Sequence, residues 1–399
     1  MGAGIIKFLP GLAGTIQLTS ALPNLSKNIE INGPGANALT VRRNSGGDYR
    51  ILTIDNGTNA GPTVTICGLT ITNGSAIGGG IYNDHGTVTV LNCVLSGNTG
   101  GGFIGAGGIY ADGNGSGSAA THLRHSTFSG NNAPGAFGGG AYNSANGTGS
   151  ATMSVENCTF SANSANNGGA GIFNFGGNAA GNATLTVLNT TFFGQNGQAI
   201  FNDKDGTGTA ALTIGNTILK HGVGANFAND GTITSQGHNL SSDGAGGSFG
   251  PTGPGGHLNA TGDKRSTDPL LDVLADNGGP TPTHAMMAGS QAINMGSDVL
   301  APGFDQRYYL RAGVADIGAF EFGGAPIRIT SINRLANQHI MLEAQGVSNA
   351  AYTLKILPDL ESDTPTFVSV NANSSGLIQY DDDGAVGQTK RFYQVLVLP

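Results

Sequence analysis

Two short motifs return in phase along the chain, and they constrain its fold more than any other feature. "GGGIYN" at residue 78 is followed by "GGIYAD" at 107, "GGGAYN" at 138, "GAGIFN" at 169 and "GQAIFN" at 197. Their aromatics, Tyr82, Tyr110, Tyr142, Phe173 and Phe201, lie 28, 32, 31 and 28 residues apart. A second motif trails each copy: "CVLSGN" at 93, "STFSGN" at 126, "CTFSAN" at 158 and "TTFFGQN" at 190. Outlying copies, "LTITNG" at 69 and "TILKHG" at 217, extend the series. Self-similarity at a period of about 20–50 residues marks a stacked-repeat architecture.

Between the two motifs lies a short alternating run such as "TVTVLN" or "ATLTVLN". It places Val88 and Val90, Met153 and Val155, Leu185 and Val187 on one side, as in a strand with one buried face. No unit carries a helical period. Three short strands per unit, separated by Gly and Asn corners, predict a parallel β-helix whose coils lie about 4.8 Å apart. The units exceed a lean coil, so the glycine tracts at 100–108, 113–118 and 176–181 are expected to be extended corner loops. Stacking also explains three asparagine columns: Asn92, His125, Asn157, Asn189, Asn216; Asn98, Asn131, Asn163, Gln195; and Asn83, Asn143, Asn174, Asn202, interrupted at Ala111. Asparagine suits tight corners, and stacked amides can bond along a ladder. Phe128, Phe160 and Phe192 should stack inside, flanked by Ile71, Leu95 and Leu219.

Composition removes several function classes. The 17 basic and 25 acidic residues give a net charge of -8. That balance argues against nucleic acid, which requires a basic face, and against a basic membrane-surface patch. The 69 glycines follow no three-residue period, so collagen is excluded. No apolar stretch approaches the roughly 20 residues of a membrane span. The opening "MGAGIIKFLPGLAGTIQLTS" lacks a continuous apolar export segment and reads as mature sequence. Three widely spaced cysteines form neither a disulfide framework nor a zinc site.

The repeats resemble the right-handed β-helix regions of bacterial surface proteins with polymorphic outer-membrane-type "GGGIYN" and "FSGN" signatures. A further set of blocks resembles the choice-of-anchor Q domain of exported bacterial proteins: "GHNLSSD" at 237, "DPLLDVLADNGGPTPTHAMMAGSQAINMG" at 268, "DQR" at 305 and "DIGAFEF" at 316. The resemblance covers roughly residues 5–322 and implies export and surface association, with no particular reaction. Beyond 325, glycine runs vanish and six or seven alternating segments indicate a fibronectin- or immunoglobulin-like β-sandwich. The expected fold is therefore all-β, a right-handed parallel β-helix followed by a small C-terminal β-sandwich. The expected domains are coils over 1–234, Q-like final coils and a cap over 235–322, and the sandwich over 325–399.

Many parallel β-helices are polysaccharide lyases or hydrolases, which need clustered carboxylates and a proton-abstracting base. Aligning "THLRHS" with "MSVENC" sets His122 above Ser154 and Arg124 above Glu156, all facing outward. His122, Arg124 and Glu156 are the best catalytic or sugar-binding cluster, with a surface ion pair as the alternative. Tyr82, Tyr110 and Tyr142, if they point outward, form a strip suited to sugar stacking. The acidic turns "NDKDG" (Asp203, Asp205) and "YDDDG" (Asp381, Asp382, Asp383) are the candidates for Ca2+, with no cofactor as the default. Asp305, Arg307, Arg311, Asp316 and Glu321 are expected to pair and cap the open end of the β-helix. The leading functional reading is a non-catalytic secreted or cell-surface scaffold for adhesion, display or contact with extracellular polysaccharide or another surface component. A carbohydrate-active enzyme and a self-assembling surface-layer subunit are the alternatives.

Overall fold

The computed structural model describes residues 4–9, 11–246, 256–311, 313–347, 349–358 and 365–396. The alternating runs form three long sheets of nine, eleven and seven strands, joined through parallel ladders into a right-handed β-helix of about eight turns. A typical coil of the middle of the stack contributes a strand to each sheet, as in Thr87–Leu91, Val94–Ser96 and Ile109–Asp112. In the first sheet the columns Val64, Val88, Thr121, Met153, Leu185, Leu212 and Ile66, Val90, Leu123, Val155, Val187, Ile214 point inward and are buried. The phase of the motifs is the register of the ladders: Tyr82, Tyr110, Tyr142, Phe173 and Phe201 are successive partners in the third sheet.

In the second sheet, Phe128, Phe160 and Phe192 stack in the interior with ring centroids 4.7 and 4.9 Å apart. Leu95 and Ile71 continue the column on one side and Leu219 on the other. The glycines of the opening motif serve the corner before the third sheet. Gly78, Gly138 and Gly169 adopt φ of 63, 70 and 62°, a region costly to residues with a Cβ. Two residues on, a Cβ at Gly140 would lie 2.6 Å from the Gly171 carbonyl oxygen and 2.8 Å from the Phe160 ring.

The asparagine columns divide into two physical kinds. Asn92, His125, Asn157, Asn189 and Asn216 occupy the left-handed region, with φ between 46 and 53°. Asn98, Asn131, Asn163 and Gln195 are fully buried and form an amide ladder. Asn98 Nδ2 donates to Asn131 Oδ1 (3.0 Å), Asn131 Nδ2 to Asn163 Oδ1 (2.9 Å) and Asn163 Nδ2 to Gln195 Oε1 (3.1 Å). A parallel ladder runs from Asn143 through Asn174 and Asn202 to Asn229, at 2.7–2.8 Å. At the break, where Ala111 replaces asparagine, Asn83 turns its amide to the Thr121 hydroxyl and the Gly86 carbonyl.

The segment expected to provide the last coils and a cap behaves differently. Ala245 and Leu258 join the end of the apolar core. The chain then turns back and runs along the flank of the β-helix, past the left-handed corners. Asn216 Nδ2 donates to the Ser297 carbonyl (2.9 Å), Asn189 Nδ2 to Leu300 (2.9 Å) and Asn157 Nδ2 to Phe304 (3.0 Å). His125 Nδ1 bonds the Gln306 carbonyl at 3.2 Å, continuing the series one coil further. Residues 297–306 are thus a strap held rung by rung. Gln306 secures it through Thr159 and Thr127, and a hairpin of Leu271–Ala275 and Thr283–Met286 packs alongside, with His284 stacked on Phe193.

The expected cap is therefore corrected. Asp305, Arg307, Asp316 and Glu321 lie on this flanking segment and fold it upon itself. Asp305 accepts from the Arg307 guanidinium (2.7 and 2.9 Å) and from the Arg307 and Glu321 backbone N–H groups. Asp316 accepts from the Asn294 and Phe322 N–H groups, and Glu321 accepts from the Asp316 N–H. The Arg307 guanidinium lies 3.6 Å over the Phe320 ring. Buried charges require such partners, and here backbone N–H groups on either side of the strap supply most of them.

Contacts divide the chain into two compact units, residues 1–307 with 313–322 and residues 308–312 with 323–399. Arg311 belongs to the second. That unit holds two three-stranded antiparallel sheets: Arg328–Arg334, Ile340–Gln345 and Leu377–Asp382, and Thr366–Asn371, Ala351–Leu357 and Phe392–Leu396. Leu342, Tyr352, Leu354, Ile356 and Ile378 fill the core of this small β-sandwich.

Candidate functional site

The first sheet places His122 beside Ser154 and Arg124 beside Glu156, the pairings expected from the repeats. His122 Nδ1 bonds Ser154 Oγ at 2.7 Å. Arg124 Nε and Glu156 Oε2 are 3.8 Å apart, with the side chains 42% and 35% exposed, a solvated pair worth about 0.2–1 kcal/mol. Burial, and then the Arg124 charge, hold His122 below the ordinary histidine range, so the ring is neutral near pH 7. A serine bonded to a neutral histidine is half of an activated nucleophile, but a third group must orient the base. The neighbouring charge is cationic, and Glu156 faces Arg124. The three residues come together, without forming a catalytic constellation.

The expected tyrosine strip is corrected by burial. Tyr82, Tyr110 and Tyr142 do point away from the interior of the coils. The loops between coils fold over them, however, and Ala106, Ile77 and Phe137 pack on the column with Phe173 and Phe201. Tyr110 is 1% exposed and Tyr142 4%. Tyr82 is half-buried, stacks on Tyr110 at 5.4 Å and has the Arg50 guanidinium 4.3 Å over its ring. Its hydroxyl donates to Asp112 at 2.6 Å, and burial together with that carboxylate pushes the phenol up. These rings make a satellite core, so no open stacking surface exists at this column.

The acidic turns do not converge either. Asp203 is half-buried and raised by burial, whereas Asp205 is exposed and bonds the Asn178 amide at 2.9 Å. In "YDDDG" the three carboxylates separate: Asp382 is buried against Arg391 and Tyr393, Asp381 meets His339 at 3.0 Å, and Asp383 begins a single 3-10 turn. Successive strand residues point to opposite faces, which is why adjacent aspartates here cannot share one ion. Among the described residues, no group of three or more His, Cys, Asp or Glu could hold a metal. Cys93 and Cys158 are fully buried, and burial pushes both thiols up to about 12, far from nucleophilic use at neutral pH.

Two surface features lie outside these candidate residues. The outer face of the nine-stranded sheet carries a register column of Thr65, Thr89, His122, Ser154, Thr186, Thr213 and Thr234. Beside it runs a second: Thr63, Thr87, Ala120, Thr152, Thr184, Ala211 and Thr232. The "TVT", "TMS", "TLT" and "TIT" tripeptides that build them are visible in the sequence, but alternation alone draws attention to the apolar residue between. The other feature is a cleft of about 250 Å³ between the flanking segment and the early coils, lined by Ala36, Asn37, Thr70 and Val94 and by Asp276 and Gly279–Pro282. It exists because the chain doubles back, which no local motif announces. No protein-family profile and no curated protein matches the chain, so its function has to be read from the fold and the faces described above.

Proposed function

We propose that the protein is a non-catalytic scaffold whose nine-stranded sheet presents a regular hydroxyl face to extracellular polysaccharide. The observation that carries this reading is the pair of outward Thr/Ser columns. Their hydroxyls, interrupted at His122 in one column and at Ala120 and Ala211 in the other, repeat at about 4.8 Å along the axis and, two residues apart, at about 6.6 Å across it. Parallel ladders hold them in place, so no ordering cost falls on binding. A flat array of this kind meets an extended, repetitive chain better than a compact substrate. The resemblance of the repeats to those of exported bacterial surface proteins favours a secreted or surface-attached location, which fractionation of the native cells would test.

The binding experiment is retention of the purified protein on insoluble polysaccharides, including cellulose, chitin and xylan. Retention on at least one, lost in a Thr89→Lys/Thr186→Lys double variant, is the expected outcome. Equal retention of the double variant would dismiss the threonine face. Release of unsaturated uronate from pectin or alginate, abolished by Arg124→Ala, would replace the scaffold reading with a lyase.

A further inference from the structure

We propose that the cleft between the flanking segment and the early coils is a binding subsite for a single neutral sugar ring. This inference rests on the polysaccharide-contact reading and gives it a source of specificity that the flat face lacks.

The cleft has two chemically distinct sides. Ala36, Val94, Pro280 and Pro282 supply apolar surface, against which the C–H face of a pyranose can pack. Asn37 and Asp276 stand among them as polar groups with unused capacity. The Asn37 side chain is exposed and makes no hydrogen bond among the described residues, so its amide offers both a donor and acceptor sites. Asp276 uses Oδ1 to accept the Gly278 N–H at 3.0 Å in its own turn, which leaves Oδ2 for a ligand. Thr70 and Thr281 have committed their hydroxyl protons to the Ala36 and His125 carbonyls, so they are fixed in orientation. A polyol needs this combination of donor, anionic acceptor and apolar wall.

Charge and size narrow the ligand further. Among the described residues no basic side chain lines the cleft, and Asp276 makes it negative. A uronate or sulfated sugar would bring like charge to the carboxylate, so the occupant is a neutral hexose. One carboxylate falls well short of the six to eight oxygens that calcium takes, so the polar groups are arranged for a hydroxyl ligand. At about 250 Å³ the space lies just below the lower end for drug-sized ligands, roughly 300 Å³, and suits one ring at a chain end or branch. The floor comes from the rigid β-helix and the far wall from the flanking segment, held through Thr281, Gln306 and His125.

The test is saturation-transfer NMR and calorimetric titration of the full chain with methyl glucoside, galactoside, mannoside and methyl glucuronide. We expect at least one neutral glycoside to bind weakly and glucuronide to fail. Asn37→Ala and Asp276→Ala should each weaken binding about two- to tenfold, as loss of one hydrogen bond in a solvent-accessible cleft implies. Equal binding of glucuronide, or neutral-sugar binding unchanged in both variants, overturns the inference. Absence of any hexoside binding also overturns it. If polysaccharide retention persists in that case, the threonine-face reading stands alone. If retention fails while a hexoside still binds in an Asp276-dependent manner, the cleft stands and the face does not.

Discussion

Replacing Asn131 by alanine removes the centre of the buried amide ladder. Its side chain makes four contacts: Nδ2 donates to Asn163 Oδ1 and to the Leu95 carbonyl, and Oδ1 accepts from the Asn98 backbone N–H and Asn98 Nδ2. In Asn131→Ala, Asn163 Oδ1 keeps the backbone N–H of residue 131. Two donors are left without partners, the Asn98 backbone N–H and one Asn98 amide proton, while the Leu95 carbonyl loses its second donor but keeps its place in the strand ladder. A buried orphan costs about 1–3 kcal/mol, and the space vacated by the amide can admit one water, so we expect a loss of roughly 2–6 kcal/mol. A stacked-repeat protein need not unfold in one step, so the loss is best read locally by hydrogen exchange with mass spectrometry. Peptides spanning residues 94–98, 127–133 and 159–163 should exchange on the order of 30-fold faster or more. Asn178→Ala, which removes one exposed bond to Asp205, is the control and should leave exchange unchanged. Acceleration below about fivefold in the ladder peptides, or an equal effect of the control, would refute the claim that the amides hold the coils together.

Asn157 separates corner geometry from strap attachment. Asn157→Gly keeps the left-handed backbone but loses the bond to the Phe304 carbonyl, so limited proteolysis within 297–306 should accelerate in both Asn157→Gly and Asn157→Ala, with the alanine variant less stable by about 1 kcal/mol. Phe160→Ala opens the middle of the interior aromatic column and should cost about 3–5 kcal/mol in denaturant melts followed by circular dichroism, against about 1 kcal/mol for Phe160→Leu. His284 is held below the ordinary histidine range by burial; its Nδ1–H donates to the Asp272 carbonyl and its Nε2 accepts from Ser161. Because the unfolded state takes up the proton more readily, this stability is complete above about pH 6.5 and declines as the pH falls through the depressed folded value. The melting temperature should therefore drop between pH 7 and 5, and His284→Gln should flatten that slope; an unchanged slope would remove His284 as a cause.

The β-helix was legible because repetition converts local pattern into tertiary register. Once "GGGIYN" and "FSGN" are in phase, the partner of Phe128 has to be Phe160, and the partner of Arg124 has to be Glu156. The C-terminal sandwich was legible from its alternation. The flanking strap was not, because its anchors are backbone carbonyls of Ser297, Leu300 and Phe304, which carry no residue signature. The same corner asparagines satisfy a local rule, tolerance of positive φ, that conceals their second role. Alternation leaves the direction of the tyrosines open, and although the rings point away from the interior, their burial depends on loops whose glycine-rich sequence says little about where they fold. Three aspartates in "YDDDG" suggested one ion site, and strand alternation sent Asp381 and Asp382 to different partners.

The buried amide ladder has a direction. Every rung donates toward the following coil, and the series is closed at one end by the Gly74 N–H donating to Asn98 Oδ1. At the other end Gln195 Nε2 delivers its protons to the Phe160 and Phe193 carbonyls. Interior rungs are interchangeable, since each gives and receives the same bonds, whereas the two terminal ones are not. A gene duplication or deletion of one whole coil between Asn98 and Gln195 therefore leaves the hydrogen-bond count balanced, while one that removes either terminus strands a buried amide. The ladder alone thus tolerates a change of length in its middle, whereas the strap over His125, Asn157, Asn189 and Asn216 fixes the number of coils it spans.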